Sequence, residues 1–238
     1  MPKKRTRPLP NGARTIMASR VEGARSRDNF PTPPWATRAL IEIVFPKLFG
    51  VSGVAGYGYG PLVESRSAWE PACGQGIMAD VLREYFRFVQ ASDLYAYGHS
   101  HSGWNFLTMK RPEQYDWIIT NPPFGAKTIP FILRAIKLAR VGVAMFLRLQ
   151  VLETVGRYER IFKPHPPTVI APFVERVNLC KGIWNPDGGT ATAYCWIVWM
   201  KGRKPLPMFW IPPGRKVALT HADDRARFAA WSLPRKAA

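Results

Sequence analysis

Apolar and polar positions along this chain follow two different periods, which predict strands and helices in turn. Short apolar runs rich in β-branched and aromatic residues, several of which are followed by Pro, Asn or Asp, are typical of buried strands. Apolar residues three and four apart predict helices that begin near Thr32 and cover 77–86, 128–140 and 152–163. The predicted strands are 67–70, 88–92, 115–120, 141–147, 168–174 and 193–199. Strands that alternate with helices favour an α/β sandwich around a mostly parallel sheet.

The strand at 115–120 ends abruptly in Asn121-Pro122-Pro123-Phe124. The two prolines fix φ and bias the residue before each of them toward an extended conformation. The Asn121 amide is therefore expected to project from the end of the strand, with Phe124 a few residues beyond it. Acceptors and an aromatic face in this order suit a planar ring that carries an amino group. A plain strand that ends in an Asn-Pro turn fits these four residues equally well.

A glycine turn lies between the predicted strand at 67–70 and the helix at 77–86. Gly74 and Gly76 stand in this turn, and Asp93 follows the next predicted strand. A strand, a glycine turn and a helix together allow the backbone to approach a ligand closely. An acid about twenty residues past the glycines is where a Rossmann-like unit binds ribose hydroxyls.

The net charge of +18, from 34 Lys and Arg against 16 Asp and Glu, favours a polyanionic partner. Nucleic acid is preferred to a membrane surface because no basic amphipathic helix stands out. A generally basic surface that serves solubility is the alternative. No apolar run approaches the ~20 residues needed to span a bilayer, and the N-terminus lacks the apolar core of a secretory signal. We therefore expect a cytoplasmic protein that does not engage a membrane.

The cysteines and histidines do not favour a metal site. Cys73, Cys180 and Cys195 are an odd number without a C-x-x-C pair, which argues against a disulfide framework and a cysteine-rich zinc site. His99 and His101 lie close together, but no cysteine stands at ligand spacing beside them. A solvated or backbone-capping loop is the preferred interpretation of the pair, and no metal is predicted.

Composition divides the chain into three parts. Residues 1–27 are predicted to be a disordered basic arm, 28–200 the main domain, and 201–238 a basic, Pro-rich C-terminal extension that covers the sheet. The glycine-rich stretch 50–60 has no phosphate-loop lysine and does not follow a strand, so it is interpreted as a flexible connection.

Three motifs together resemble a known family. The segment 70–76, Glu-Pro-Ala-Cys-Gly-Gln-Gly, resembles the first motif of class I S-adenosylmethionine-dependent methyltransferases. Residues 121–124 resemble their catalytic motif for amino nitrogens, and 29–33, Asn-Phe-Pro-Thr-Pro, is similar to the N-terminal cofactor motif of γ-order DNA amino-methyltransferases. The combination most resembles phage-type N6-adenine DNA methyltransferases. It implies a three-layer Rossmann-like class I methyltransferase fold with a mostly parallel seven-stranded sheet, and S-adenosylmethionine as the cofactor.

The resemblance also implies roles for individual residues. It implies that the cofactor is bound by Phe30, Pro31, Thr32, Glu70, Ala72, Gly74, Gly76, Asp93, Asn105, Phe106 and Asn121. It implies that a flipped-out adenine is held and methylated by Asn121, Pro122, Pro123 and Phe124. The family often has Asp where this chain has Asn105.

The loop 175–192 between two predicted strands can project beside such a site. Its candidates for contacts with DNA are Arg176, Lys181, Trp184 and Asn185. Packing of this loop against the C-terminal extension is the alternative. Two other functions also remain open: methylation of an amino nitrogen in RNA or of a protein glutamine by the same kind of pocket, and nucleic-acid binding without catalysis. The sequence indicates neither a target site nor an oligomeric state.

Overall fold

One six-stranded sheet forms the centre of this protein. The computed structural model describes residues 29–51, 63–99, 101–110 and 112–229. The predicted basic arm, and nearly all of the glycine-rich connection, lie outside these residues. The strands are β1 Ser67–Glu70, β2 Phe88–Ala91, β3 Trp117–Thr120, β4 Gly142–Arg148, β5 Val169–Pro172 and β6 Tyr194–Met200. Each lies within one or two residues of a predicted strand.

The strand order is β2-β1-β3-β4-β6-β5. Strands β1 to β4 run parallel, while β6 lies antiparallel between β4 and β5. The described residues thus contain six of the seven expected strands. Beyond β2, the only further pairing among the described residues is an isolated parallel bridge between Ser92 and His101. The mostly parallel α/β sheet is confirmed, and the described part of the chain contributes one strand fewer than expected.

Helices cover both faces of this sheet. Those of the described residues are α1 Pro34–Ala39, α2 Phe45–Phe49, α3 Ile77–Leu82, α4 Thr128–Leu138, α5 Val155–Arg157, α6 Arg215–Ala218 and α7 Asp224–Ala229. A π-helical turn at Leu40–Val44 joins α1 to α2, and a second at Tyr158–Phe162 follows α5. Short 3-10 turns occupy Gly125–Lys127 and Leu149–Leu152. Across these described segments, no helix has both the length and the apolar character needed to cross a bilayer.

Side chains that alternate along the central strands separate the interior into two cores. In β3, Trp117 and Ile119 pack with α1 and α3 on one face, whereas Ile118 packs with α4 on the other. In β4, Phe146 faces the first core and Met145 the second. A parallel sheet covered on both faces requires such continuous apolar strands. The arrangement is a three-layer α/β sandwich.

The segment that follows β6 covers one edge of the sheet. The Leu206 amide donates to the Thr168 carbonyl (2.7 Å), and the Ile211 amide donates to the Pro172 carbonyl (2.9 Å). Backbone groups of the edge strand β5 are therefore paired, which keeps them from pairing with another chain. Further on, the side chain of Phe228 is buried in the core on the α1 face.

Candidate active site

A cavity of about 570 Å³ opens at the carboxyl ends of the parallel strands. This is the edge at which open α/β sheets bind ligands. The predicted site residues that line it are Phe30, Pro31, Thr32, Glu70, Ala72, Gly74, Asp93, Asn105, Phe106, Asn121, Pro122, Pro123 and Phe124. The structure therefore brings together all but one of the predicted cofactor and catalytic residues.

Asp93 organises the part of the cavity formed by the turn after β1. Its carboxylate accepts hydrogen bonds from the backbone amides of Gly74 (2.9 Å) and Tyr95 (2.9 Å). Gly74 has a φ of +53°, and an added Cβ would lie 2.7 Å from Asn29 Oδ1. Only glycine fits this turn without strain. The carboxylate is thus held at the cavity wall by two backbone donors.

Gly76 is the predicted site residue that does not line the cavity. It precedes α3 with a φ of +83°, and a Cβ at this position would lie 2.1 Å from Nδ1 of His99. The His99 ring in turn contacts the Asp80 carboxylate (2.9 Å). Gly76 therefore allows the His99 ring to pack against the start of α3, and its predicted part in shaping the pocket is indirect.

Glu70 ends β1 inside the cavity wall and is 2% exposed. Burial raises the pKa of its carboxyl well above the usual range, and the charge of Asp93 raises it further. Its Oε2 atom is buried and has no hydrogen-bond partner in the described part of the chain. Burial and the neighbouring acid both favour the protonated, uncharged form of this side chain.

The amide of Asn121 has a fixed orientation. Nδ2 donates to the Phe30 carbonyl (3.0 Å) and to the Thr32 hydroxyl (3.2 Å). The Phe30 carbonyl can only accept a hydrogen bond, so the nitrogen must face it. Oδ1 is consequently the free end of the amide: it is buried and has no hydrogen-bond partner among the described residues. An unpaired buried acceptor is costly and is expected where a ligand completes the site.

Phe124 lies beside this amide and contacts both an aromatic ring and a cation. Its ring centroid is 5.3 Å from that of Phe30, at an interplanar angle of 48°. The guanidinium carbon of Arg148 lies 4.1 Å from the Phe124 ring centroid. The Thr128 hydroxyl donates to the Pro123 carbonyl (2.8 Å) and so ties the motif to the first residue of α4. Phe124 is thus placed on a fixed turn between β3 and α4.

Several residues that line the cavity were given no individual role by sequence reasoning. Tyr95 and Tyr97 follow the acid, and Trp104 precedes the predicted pair Asn105 and Phe106. Others that line the cavity are Asn29, Gln75, Ile77, Met78, Leu94, Leu107 and Lys127. Their position in the sequence could have indicated some of them, because residues directly after the end of a parallel strand lie at the same edge of the sheet as Asp93.

The 175–192 loop reaches the cavity through its tip. The Gly182 amide donates to the Asn29 carbonyl (2.8 Å), and Gln75 Nε2 donates to the Gly182 carbonyl (2.7 Å). Lys181 stands next to this tip and is half-buried, while Arg176 is exposed and donates to the Ala191 carbonyl (3.1 Å). The loop therefore lies beside the candidate site, as expected.

Two other candidates in this loop have structural roles. Trp184 is 5% exposed, and its ring centroid lies 6.3 Å from that of Phe228 in the core. The C-terminal extension buries this ring, which favours packing of the loop against that extension, and a contact of Trp184 with DNA stays a prediction. Asn185 uses Oδ1 to accept from the Asp187 amide (3.0 Å), and its carbonyl accepts from Asn178 (2.8 Å).

One group of possible metal ligands, His221, Asp223 and Asp224, occurs among the described residues, away from the cavity. Both carboxylate oxygens of Asp224 already accept from Arg38, at 2.6 and 2.7 Å. Asp223 lies 3.7 Å from the guanidinium of Arg227. These carboxylates are neutralised by arginine, so the group gives no support for a cation.

Comparison with known proteins identifies the fold. No family model matches the chain, and no curated protein sequence does. The structure is similar to that of a candidate class I S-adenosylmethionine-dependent methyltransferase from Listeria monocytogenes, with a TM-score of 0.54, 10% identity, and coverage of 85% of this chain and 72% of that one. It is also similar to a modification subunit of a candidate type I restriction enzyme from Vibrio vulnificus, with a TM-score of 0.52, 14% identity, and coverage of 90% and 55%.

A third similar structure is the methyltransferase subunit of the type I restriction-modification system of Streptococcus thermophilus. Its TM-score is 0.54 at 11% identity, with 78% of this chain and 47% of that one covered. The chain thus spans about half the length of the two restriction-modification subunits, 55% and 47%. At these identities the likeness shows the fold, which is the class I methyltransferase fold.

Proposed function

We propose that this protein transfers a methyl group from S-adenosylmethionine to the exocyclic N6 of an adenine in DNA, with the base rotated out of the helix. The observation that carries the proposal is the Asn121 amide at the cavity: Nδ2 is held by Phe30 and Thr32, whereas Oδ1 is buried and no described residue donates to it. A fixed acceptor beside an aromatic ring matches the amino edge and the face of a nucleobase.

The cavity supports the choice of cofactor. Its volume of about 570 Å³ falls within the range of roughly 300–1,000 Å³ that is usual for small-molecule sites. Asp93 would bind the ribose hydroxyls, because a carboxylate at the tip of the second strand is the acceptor used for them in Rossmann-like units. Gly74 lines the cavity at the turn after β1, and Phe30 and Thr32 would border the methionine end of the cofactor.

The residues of the motif would then act on the amine through hydrogen bonds. When bound, the cofactor supplies an electrophilic methyl group on a sulfonium. An amino group conjugated to its ring is a weak nucleophile, since its lone pair is delocalised. Asn121 Oδ1 and the Pro122 carbonyl are two acceptors for its two hydrogens; among the described residues, neither accepts another hydrogen bond. They would favour a pyramidal nitrogen and stabilise the positive charge that develops on it.

DNA is proposed as the substrate on two grounds. The net charge of +18 favours a polyanion, and phosphate contacts position a protein on a duplex without reading its sequence. A base inside a duplex cannot reach a cavity of this kind, so it must be extruded, and Phe124 offers a ring on which it can stack. The similarity in fold to subunits of restriction-modification systems is consistent with DNA as the substrate.

Methyl transfer with a labelled cofactor tests the proposal. The purified chain is incubated with DNA, ribosomal RNA or protein, and label is expected in DNA alone. Label found only in RNA or in protein would assign the cavity to a different amino nitrogen. Cofactor and DNA binding without any transfer would favour a non-catalytic binding protein.

A further inference from the structure

A half-buried arginine lies beside the candidate catalytic motif, and no carboxylate of the described residues pairs with its charge. Arg148 is the last residue of β4, and its guanidinium stacks on the ring of Phe124. Its Nε atom is buried and finds no hydrogen-bond acceptor within the described segments. In the part of the chain that the structure describes, Arg148 takes part in no ion pair and no side-chain hydrogen bond.

Arg38 shows how the same protein treats an arginine whose role is structural. Its guanidinium is fully buried and makes five hydrogen bonds, to the Glu84 carboxylate, the Asp224 carboxylate and the Leu219 carbonyl. Every part of this group has an acceptor, as a buried charge requires. Arg148 has an aromatic face in place of these acceptors.

The contact with Phe124 does not replace the missing acceptors of Arg148. A cation–π contact attracts the charge of the guanidinium, but it does not satisfy N–H donors that lie in the guanidinium plane. A partly desolvated cation with free donors is therefore complementary to an anion. Because β3 and β4 are parallel neighbours, Arg148 lies at the same edge of the sheet as Asn121 and Phe124. The anion would have to reach this edge together with the substrate.

We propose that Arg148 binds a backbone phosphate of the nucleotide whose base stacks on Phe124. This inference rests on the proposed function and assigns one substrate contact to it. The fork of donors on a guanidinium matches two phosphate oxygens, and such a contact fixes the backbone of an extruded nucleotide. The contact of the Arg148 guanidinium with the Phe124 ring would orient its N–H donors before the nucleotide binds.

The dependence of substrate affinity on salt tests this contact. The logarithm of KM for DNA is measured against the logarithm of NaCl concentration, between about 50 and 200 mM, for the wild type and for R148Q and R148K. The matched control is R140Q, because Arg140 is exposed and precedes β4 at the opposite edge of the sheet. Each lost phosphate contact lowers the slope by about 0.7–0.9.

We expect R148Q to lower the slope by that amount, R140Q to leave it unchanged, and R148K to keep the slope with a higher KM. The melting temperature of R148Q should equal or exceed that of the wild type, because an uncompensated charge is removed. A slope for R148Q equal to that of R140Q would overturn the inference.

A binding measurement separates this inference from the proposed function. Fluorescence anisotropy is recorded with a DNA duplex of mixed sequence that carries one adenine opposite an abasic position. Because this adenine has no pairing partner, its extrusion from the helix costs little free energy. If the wild type methylates no DNA, the proposed function fails. The dependence of this binding affinity on salt then tests the role of Arg148 by itself. We expect the same difference in slope between R148Q and R140Q, and equal slopes would overturn the inference.

Discussion

Asn121 Nδ2 donates to the Phe30 carbonyl over 3.0 Å, and so joins two segments that are 91 residues apart in the chain. The segment before the first helix therefore fixes the orientation of an amide that follows the third strand. With Nδ2 committed, only Oδ1 remains for a ligand, and this oxygen is buried. The two motifs form one site because of this contact.

Replacement of Asn121 separates binding from transfer. N121A removes the free acceptor and should lower kcat by roughly 10²–10³, the scale seen when one polar contact to a developing charge is lost. N121D keeps acceptor oxygens but places one of them against the Phe30 carbonyl, so it should not restore the rate. Calorimetry should show that N121A still binds S-adenosylmethionine. An unchanged kcat in N121A would remove Asn121 from catalysis.

Replacement of Phe124 tests the stacking of the base. F124A should weaken DNA binding by roughly 1–3 kcal/mol, as for other contacts between bases and aromatic side chains, whereas F124W should retain most of the affinity. F88A is the matched control, because Phe88 is exposed at the other end of the parallel strands. The affinity of each variant is measured for a DNA duplex that carries an adenine opposite an abasic position. Equal losses of affinity in F124A and F88A would contradict a stacking role.

The buried carboxyl of Glu70 makes a prediction about pH. Its pKa is raised in the folded protein, so above pH ~4.5 the unfolded chain has released a proton that the folded chain still holds. The contribution of Glu70 to stability must therefore fall as the pH rises from that point toward the folded pKa. E70Q removes this dependence.

Thermal unfolding of the wild type and E70Q between pH 5 and about 8 measures the effect. E70Q should gain melting temperature relative to the wild type as the pH increases, because it carries no charge to bury. A difference that stays constant over this range would mean that Glu70 ionises in the folded protein as it does in the unfolded chain.

Removal of the Arg38 charge should destabilise the whole fold. R38M leaves the Asp224 carboxylate, which is 1% exposed, without its partner. Breaking a buried pair of this kind costs roughly 3–5 kcal/mol. R225Q is the control, because its pair with Asp187 is 67% and 77% exposed and should contribute about 0–1 kcal/mol. Chemical denaturation of the two variants should show this contrast, and similar losses would contradict it.

The sheet could be predicted from the sequence because its signals are local. The run Ser67–Glu70 was predicted with the bounds that the structure has, since a proline and a glycine turn follow it directly. The π-helical turn at Leu40–Val44 could not be distinguished, because a helical apolar pattern does not separate a π turn from an α turn over five residues. Local patterns thus predict which elements exist but not their finer geometry.

The parts of the site that depend on distant residues could not be predicted. Trp184 resembles an exposed loop aromatic in sequence, and only its contact with Phe228 shows that it is buried. Arg38 is one of many basic residues until Asp224, 186 positions later, is placed beside it. The glycine turn and Asn121 were found because each stands directly at the end of a strand.

Nucleoside analysis of DNA after methyl transfer tests the central proposal most directly. The purified wild type is incubated with labelled S-adenosylmethionine and unmethylated DNA, the DNA is digested to nucleosides, and the labelled species is identified by chromatography. The account predicts label in N6-methyladenine, and its absence from the DNA treated with N121A. Label in another base of the wild-type digest, or none in DNA while RNA or protein becomes labelled, would contradict it.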